Sequence, residues 1–341
     1  MTHSNNAHTA APSTPPVRYL KSFACAAGGT NIFRFLGAIK ELQRRNIKAR
    51  HLSGASAGCP TSVIYAHDID ADIAVKEMLR LINRRMDMGL LLRSLVYPDF
   101  QRWLLSGQTC WTPRESYREF LEVFDIRDWP DHVNLEFMAC AVKLPEYTPA
   151  TPWNLTNYPH RPLHLDRNSG YSMLTSMVMS GSAPGLAVPE VINTAEHGRE
   201  LVVDGAVWNF IPRLPEPSLV VKAHRITDIS VKMPQGIEMF DPMAWTRFMS
   251  DSQKLFKTPL DFMYQFLEVK APLAADRRHV SDEHLVLAFG DEKDGTLKPA
   301  GLNTGAEAAI YLRMYESAQE QTAMILDQAE KDNKLAQYLE A

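Results

Sequence analysis

The sequence has 341 residues, of which 45% are hydrophobic and 22% are charged, a composition that fits a folded globular protein and excludes disorder of the whole chain. Its formal net charge of -4 at pH 7 gives no basic footprint for a phosphate backbone, so nucleic acid is not an expected partner. The four cysteines lie far apart without a Cys-x-x-Cys pair, which argues against a disulfide framework and a cysteine zinc knuckle.

The first residues, 1–16, are small and polar, and we expect them to form a flexible tail. They lack the basic stretch and apolar run of a Sec signal peptide. The sequence also contains no apolar stretch of about 18 residues, the length expected of a membrane-spanning helix. We therefore predict a cytoplasmic protein whose contact with a membrane would be peripheral. Export by a specialised secretion machine is the alternative, because the polar tail would also suit it.

Two strand–turn–helix units follow the tail. The first is a predicted strand over 17–26, a glycine-containing turn over 28–31, and a helix whose apolar residues repeat at helical spacing over 32–45. The second is a strand over 49–53 that leads through another small-residue turn into the apolar run 63–66. Two such units in succession predict a parallel sheet.

The rest of the chain continues to alternate between strand and helix patterns. Helices are predicted over 71–94, 171–180, 242–269 and 305–339, strands over 135–142, 201–203 and 226–231, a partly helical stretch over 97–122, and a long loop over 145–162. We therefore expect an α/β fold with a central, mostly parallel sheet and helices on both faces.

The second turn contains a motif that indicates catalysis. Gly54-Ala55-Ser56-Ala57-Gly58 lies between a predicted strand and a predicted helix, which is the context of a nucleophile elbow. Small neighbours allow the chain to turn sharply enough to expose the serine hydroxyl, and the helix N-terminus favours negative charge that develops during acyl transfer. Ser56 is therefore the predicted nucleophile, and it needs a base to accept its proton.

Three separated motifs resemble those of patatin-like phospholipases and occur in the same order. They are Gly28-Gly29-Thr30-Asn31, the Gly-x-Ser-x-Gly motif around Ser56, and Asp204-Gly205-Ala206. The small-residue and proline stretch 182–189 and the Asn209 and Pro212 that follow the third motif are also similar to the family. The resemblance spans residues 20–212.

This resemblance implies a Ser-Asp dyad and a lipid substrate. Ser56 would attack an ester carbonyl while Asp204 accepts the hydroxyl proton, and backbone N–H groups of Gly28, Gly29 and Thr30 would form the oxyanion hole. The supporting motif residues are Gly54, Gly58, Gly205 and Ala206. The implied activity is that of a lipid acyl-ester hydrolase, similar to phospholipase A or lysophospholipase, with a phospholipid or another lipid ester as substrate. No metal or organic cofactor is implied.

The resemblance also implies a three-layer patatin-like fold and a division of the chain. After the tail over 1–16, a patatin-like catalytic core is expected over 17–215, and a mainly helical part over 216–341 would complete or cap the same domain. The first loop departs from the family pattern. When Gly37 is aligned with the glycine inside the family's first helix, Ala27 stands at the first glycine of the loop, Asn31 stands where Arg or Lys is usual, and Ile32 stands at the later glycine.

Two other interpretations of the motifs remain open from the sequence. An ordinary α/β-hydrolase would use a Ser-Asp-His triad, for which Asp204 and His284 are in the expected chain order. A catalytically silent lipid-binding or regulatory protein would keep the fold without turnover. Histidine dependence separates a triad from a dyad, whereas lipid binding without ester cleavage would indicate the silent protein.

Three weaker patterns do not change these predictions. Asp68-x-Asp70-x-Asp72 begins like a calcium loop, but its later positions lack the required glycine and glutamate. His160 and His164 have a metal-like spacing that Pro162 interrupts. The aromatic segment 243–266 and the leucines of 90–92 fit either core packing or contact with lipid.

Overall fold

The computed structural model describes residues 16–85, 113–143, 160–182, 190–209, 211–212, 217–223, 283–289 and 306–340. In these ranges the strands are β1 Arg18–Cys25, β2 Ile47–Ala55, β3 Asn134–Lys143, β4 His160–Leu165, β5 Glu190–Thr194, β6 Gly198–Asp204, β7 Leu219–Ala223 and β8 Leu285–Phe289. The α-helices are α1 Ile32–Arg44, α2 Gly58–Ala66, α3 Ala71–Arg85, α4 Pro113–Val123, α5 Met173–Gly181 and α6 Ala306–Lys331. Short 3-10 turns lie at Gly29–Asn31, Gly205–Val207 and Leu335–Gln337.

The described strands form one mixed sheet of eight strands. Its order is β5-β6-β3-β2-β1-β7-β8, and β4 pairs with β3 outside this path. The strands β3, β2, β1, β7 and β8 run parallel to one another. The strands β4 and β6 run antiparallel to β3, and β5 runs antiparallel to β6. The predicted α/β three-layer class with a mostly parallel central sheet is confirmed.

The core lies between the sheet and the described helices. Phe23 of β1 meets Tyr65 of α2 edge to face at 5.0 Å, and the apolar positions that repeat along α1 are fully buried, among them Phe35 and Ile39. Burying such side chains removes apolar surface from water, which is the main favourable term in folding. The helical spacing read from the sequence of α1 therefore corresponds to its buried face.

The C-terminal helix α6 packs along α1. Their backbones approach so closely at Gly37 that a Cβ there would lie 2.2 Å from the carbonyl oxygen of Tyr315. At the end of the contact, Arg45 donates hydrogen bonds to Glu41 and to Asp327 of α6, each at 2.6 Å. Residues from the two ends of the chain therefore build one core.

Several strands differ from the sequence prediction. The predicted loop over 145–162 is wrong at its end, because His160, Arg161 and Pro162 belong to β4. Among the described strands β4 pairs only with β3, and such an edge position tolerates a proline. The strands β5, β7 and β8 were not predicted. The predicted strand over 226–231 and helix over 242–269, the leucines of 90–92 and the stretch 183–189 lie outside the described residues.

Candidate active site

Two strands of the sheet meet end to end beside β3, and the two predicted catalytic residues lie at their ends. Residues 137–142 of β3 pair with β4 along one edge. Some of the same residues also pair with the other two strands: Met138 with Ala55 of β2, and Ala139 with Asp204 of β6. A strand has only two edges, so β2 and β6 share the opposite edge of β3. The parallel β2 and the antiparallel β6 therefore run toward each other and end at neighbouring positions.

Ser56 is the residue that follows β2, and it has a strained backbone. Its φ is 51°, in the left-handed region that non-glycine residues rarely adopt. Its carbonyl oxygen accepts a hydrogen bond from the Cys59 N–H at 3.0 Å, which starts α2 directly behind the turn. This is the sharp strand-to-helix turn that the Gly-x-Ser-x-Gly motif predicts.

Both glycines of this motif are required by close backbone contacts. A Cβ on Gly54 would lie 2.7 Å from the carbonyl oxygen of Gly58, and a Cβ on Gly58 would lie 2.1 Å from the carbonyl oxygen of Cys25. Real Cβ atoms do not approach this closely, so a side chain at either position would displace the turn or β1. The glycines therefore allow the turn to sit directly against β1.

Asp204 lies beside Ser56 and is almost fully buried, with 3% of its surface exposed. Burial raises the pKa of Asp204 to about 6, while hydrogen bonds from the Ser56 side chain and from the Ala206 N–H partly offset this effect. The Ala206 N–H donates to Asp204 Oδ1 at 2.8 Å. The carboxyl group is consequently held in a fixed position and is mostly ionised at pH 7.

Gly205 explains how Asp204 can approach the elbow. A Cβ on Gly205 would lie 2.1 Å from the carbonyl oxygen of Met138 and 3.4 Å from the Cβ of Ala55. Ala55, Met138 and Ala27 of the first loop form a small apolar cluster against which Ala206 packs. The first loop, the elbow and the Asp-Gly-Ala segment thus converge, as expected of three motifs that serve one site.

The first loop is fixed by a buried polar pair. Gly29 has a φ of 53°, and the Asn31 N–H donates to the Gly28 carbonyl oxygen at 3.0 Å. The Asn31 side-chain amide donates to the same oxygen at 2.9 Å, and Arg34 of α1 donates to Asn31 Oδ1 at 2.5 Å. Asn31 is fully buried and Arg34 is 4% exposed. The residue that departs from the family pattern therefore ties a buried arginine to this loop.

His284, the histidine of the triad alternative, lies far from Ser56. It immediately precedes β8, whereas Ser56 follows the end of the parallel strand β2. The pairing register places Leu285 of β8, Leu219 of β7, Phe23 of β1 and Leu52 of β2 in one row across the sheet. Ser56 lies four residues beyond Leu52, whereas His284 lies one residue before Leu285. At about 3.3 Å per residue along a strand and about 4.8 Å between strands, His284 lies on the order of 20 Å from Ser56. The His284 Nδ1 atom instead accepts a hydrogen bond from the Ser218 N–H at 3.1 Å.

Sequence reasoning missed one polar residue that contacts the elbow. Ser180 of α5 accepts a hydrogen bond from the Ser56 N–H at 3.1 Å. It lies two residues before the small-residue stretch that begins at Ser182, but nothing in a buried helical serine marks it as part of a site. Its contacts depend on the position of α5 against β3, which the local sequence does not specify.

The described part of the chain shows neither a metal-binding cluster nor a membrane-spanning helix. It contains no group of three or more His, Cys, Asp or Glu residues that could hold a metal ion. Within the same ranges, no helix combines the length and apolarity needed to cross a bilayer.

A family model described as "Patatin-like phospholipase" matches residues 23–215, a range that contains the first loop, the elbow and the Asp-Gly-Ala segment. No curated protein matches the chain.

Among solved structures, VipD from Legionella pneumophila is 15% identical with a TM-score of 0.39, and the match covers 91% of this chain and 67% of that one. The ExoU–SpcU complex of the type III secretion system of Pseudomonas aeruginosa is 13% identical with a TM-score of 0.36, and the match covers 93% of this chain and 52% of that one. A further crystal structure of the type III effector ExoU is 13% identical with a TM-score of 0.36, and the match covers 93% of this chain and 54% of that one. This chain thus spans about half the length of the ExoU chains.

Proposed function

Since this chain belongs to the patatin-like phospholipase family, we propose that it hydrolyses an acyl ester of a phospholipid or another lipid through a Ser56–Asp204 dyad. The observation that carries this proposal is the position of the buried Asp204 carboxyl group beside the Ser56 side chain, at the meeting point of β2 and β6, where Ser56 is close enough to lower the pKa of Asp204. A strained, partly buried turn that holds a hydroxyl beside a base is an arrangement suited to nucleophilic catalysis.

The proposed reaction proceeds in two halves. In the first, Ser56 Oγ forms a bond to the ester carbonyl carbon while its proton passes to Asp204. The tetrahedral intermediate then expels the alcohol, which leaves with the proton from Asp204, and an acyl-Ser56 ester remains. In the second half, Asp204 takes a proton from water, whose oxygen attacks the acyl ester. Collapse of this second intermediate returns the proton to Ser56 and releases the fatty acid.

The environment of Asp204 suits it to this work at neutral pH. A fully solvated carboxylate is a weak base, but burial raises the pKa of Asp204 to about 6. General-base catalysis is most efficient when the pKa lies near the working pH, provided that the group is still deprotonated. Near pH 7 this carboxyl group meets both conditions.

The oxyanion is proposed to bind the backbone N–H groups of Gly28, Gly29 and Thr30. Backbone donors do not depend on side-chain identity, so the departures at Asn31 and Ile32 leave them in place. The bonds from Asn31 to the Gly28 carbonyl oxygen and from Arg34 to Asn31 support this assignment, because they hold the loop in one conformation. The N-terminus of α2 behind Ser56 adds a favourable dipole.

The register of the sheet disfavours the triad alternative, because His284 belongs to the opposite end of the parallel strands. The silent alternative is disfavoured by the contact between Ser56 and Asp204, since a protein that only binds lipid has no need of it. Peripheral contact with a membrane, cytoplasmic location and its alternative, export, stay predictions.

The direct test is release of fatty acid from phospholipid vesicles and hydrolysis of a short-chain chromogenic ester. We expect the wild type to be active and Ser56→Ala and Asp204→Asn each to lose at least about a thousandfold in kcat, as expected when one member of a catalytic unit is removed. Ser169→Ala and Asp125→Asn, which make the same replacements away from the site, are the controls and should retain wild-type rates. Lipid binding without cleavage by the wild type would contradict the proposal and favour the silent protein.

A further inference from the structure

The hydroxyl of Ser180 connects three segments that build the active site. It accepts hydrogen bonds from the Ser56 N–H at 3.1 Å and from Cys59 Sγ at 3.0 Å, and it donates to the Met138 carbonyl oxygen at 2.5 Å. A serine hydroxyl offers one donor and two acceptor sites. All three are therefore used, and Ser180 itself is fully buried.

Each of these partners bears on the dyad. The Ser56 N–H belongs to the residue with the strained backbone, and Cys59 lies in the first turn of α2. The carbonyl oxygen of Met138 lies directly against Gly205, the neighbour of Asp204. One hydroxyl thus links the turn at Ser56 to β3, the strand that the Asp-Gly-Ala segment contacts.

The chemistry of Cys59 is consistent with its role as a donor to Ser180. Burial raises the pKa of the Cys59 thiol, so the thiol stays protonated at neutral pH and keeps the hydrogen that it donates. Cys59 therefore stays neutral, and its hydrogen bond to Ser180 is unaffected, over the pH range in which Asp204 titrates.

From this geometry we infer that Ser180 is a positioning residue for the proposed reaction: it holds the Ser56 backbone in its left-handed conformation and so keeps Ser56 Oγ on Asp204. The inference rests on the proposed function, because Ser180 does not touch the reacting atoms. A left-handed conformation at a non-glycine residue persists only when surrounding contacts enforce it. The bond from the Ser56 N–H to Ser180 is such a contact.

The test compares Ser180→Ala with Ser176→Ala. Ser176 lies one turn earlier on α5, is also fully buried, and has a hydroxyl without a hydrogen-bond partner among the described residues. The two variants therefore make the same replacement in the same helix, but only one removes the acceptor of the Ser56 N–H. Three quantities are measured: the rate at which a fluorophosphonate phosphonylates Ser56 with loss of fluoride, the kcat and KM for a chromogenic ester, and the hydrogen–deuterium exchange of the peptide that contains Ser56.

We expect Ser180→Ala to lower the phosphonylation rate and kcat about ten- to a hundredfold, since displacement of a reacting group by about 1 Å can have that effect. KM should change little, and exchange at the Ser56 amide should increase. Ser176→Ala should behave as the wild type. Should Ser180→Ala fail to fold, Ser180→Cys takes its place, because a thiol at the same position is a weaker acceptor; its phosphonylation rate should lie below those of the wild type and Ser176→Ala, and a rate equal to theirs would overturn the positioning role.

Equal phosphonylation rates in Ser180→Ala and Ser176→Ala, with an active wild type, would overturn the positioning role alone. Unchanged exchange at the Ser56 amide in a folded Ser180→Ala protein would also overturn it. A wild type that neither cleaves esters nor reacts with the fluorophosphonate would instead overturn the proposed function, and the inference would fall with it.

Discussion

At the scale of single residues, the candidate site contains a buried carboxyl group, Asp204, whose ionised form lowers the stability of the folded protein. Asp204 is buried, and among the described residues its ionisation is favoured by the side chain of Ser56 and the N–H of Ala206. The same burial that weakens the acid strengthens the carboxylate as a base. In the proposed mechanism, activity and stability therefore make opposite demands on this residue, as is common for catalytic groups.

This conflict leads to a prediction about stability and pH. Burial raises the pKa of Asp204 from 3.8 to about 6, so the folded protein binds more protons than the unfolded chain between these values. The contribution of Asp204 to the free energy of unfolding is therefore lost as the pH rises through this window, by roughly 3 kcal/mol. We expect Asp204→Asn to melt at a higher temperature than the wild type at pH 8 but not at pH 4.

The measurement is thermal unfolding across this pH range, with Asp125→Asn as the control. Asp125 has an 82% exposed side chain, so its replacement should leave the pH dependence of the wild type unchanged. A constant difference in melting temperature between Asp204→Asn and the wild type at pH 4 and pH 8 would show that the carboxyl group is not destabilised by burial.

Asn31 shows what sequence comparison misses at this scale. The sequence indicates a loop that lacks the usual cation, but position 31 alone does not reveal that Arg34 contacts it. Both residues are buried, and the guanidinium lies one helical turn further along α1. A positive charge thus accompanies the loop although it comes from another position.

At the scale of secondary structure elements, close backbone approaches determine where the helices and strands can lie. Gly37 allows α1 and α6 to touch. In the same way, Gly58 allows α2 to approach β1, and Gly205 allows the Asp-Gly-Ala segment to approach β3. The two contacts at the site position Ser56 and Asp204, the proposed catalytic residues. The contact at Gly37 joins the C-terminal helix to the core.

We expect Gly37→Ala to destabilise the protein. Its new Cβ would lie 2.2 Å from a backbone oxygen of α6, so the helices must separate. Overpacking of this kind costs about 1–3 kcal/mol, and the gain of about 1 kcal/mol in helix propensity only partly offsets it. Because the clash is with a backbone oxygen, we expect the upper end of this cost, so chemical denaturation should show a net loss of about 2 kcal/mol relative to the wild type. The control is Glu320→Ala, a change at an exposed position of α6, and equal stability of Gly37→Ala and this control would contradict the close contact.

At the scale of the whole molecule, the fold class and the three motifs could be predicted because they depend on local patterns. Two successive strand–turn–helix units predict a parallel sheet, and small residues around Ser56 predict a sharp turn. The meeting of β2 and β6 could not be predicted in the same way. It depends on β3 accepting both strands along one edge, which is a property of tertiary pairing and not of any segment.

The missed strands have the same explanation. The runs that form β7 and β8 are each five residues long, and a short apolar run fits a buried helix segment as well as a strand. Their assignment requires the neighbouring strands β1 and β7 against which they pair. The prediction of β6 succeeded because Leu201–Val203 leads directly into the Asp-Gly-Ala motif.

The central claim is that Asp204 activates Ser56, and the measurement that tests it most directly is the rate at which a fluorophosphonate labels the protein between pH 4 and pH 8. We expect a single adduct on Ser56, mapped by peptide mass spectrometry, whose rate rises with pH and levels off above a midpoint near 6, where the buried Asp204 loses its proton. In Asp204→Asn the rate should be low at every pH. An adduct on another residue, or a Ser56 labelling rate that Asp204→Asn leaves unchanged, would contradict the dyad.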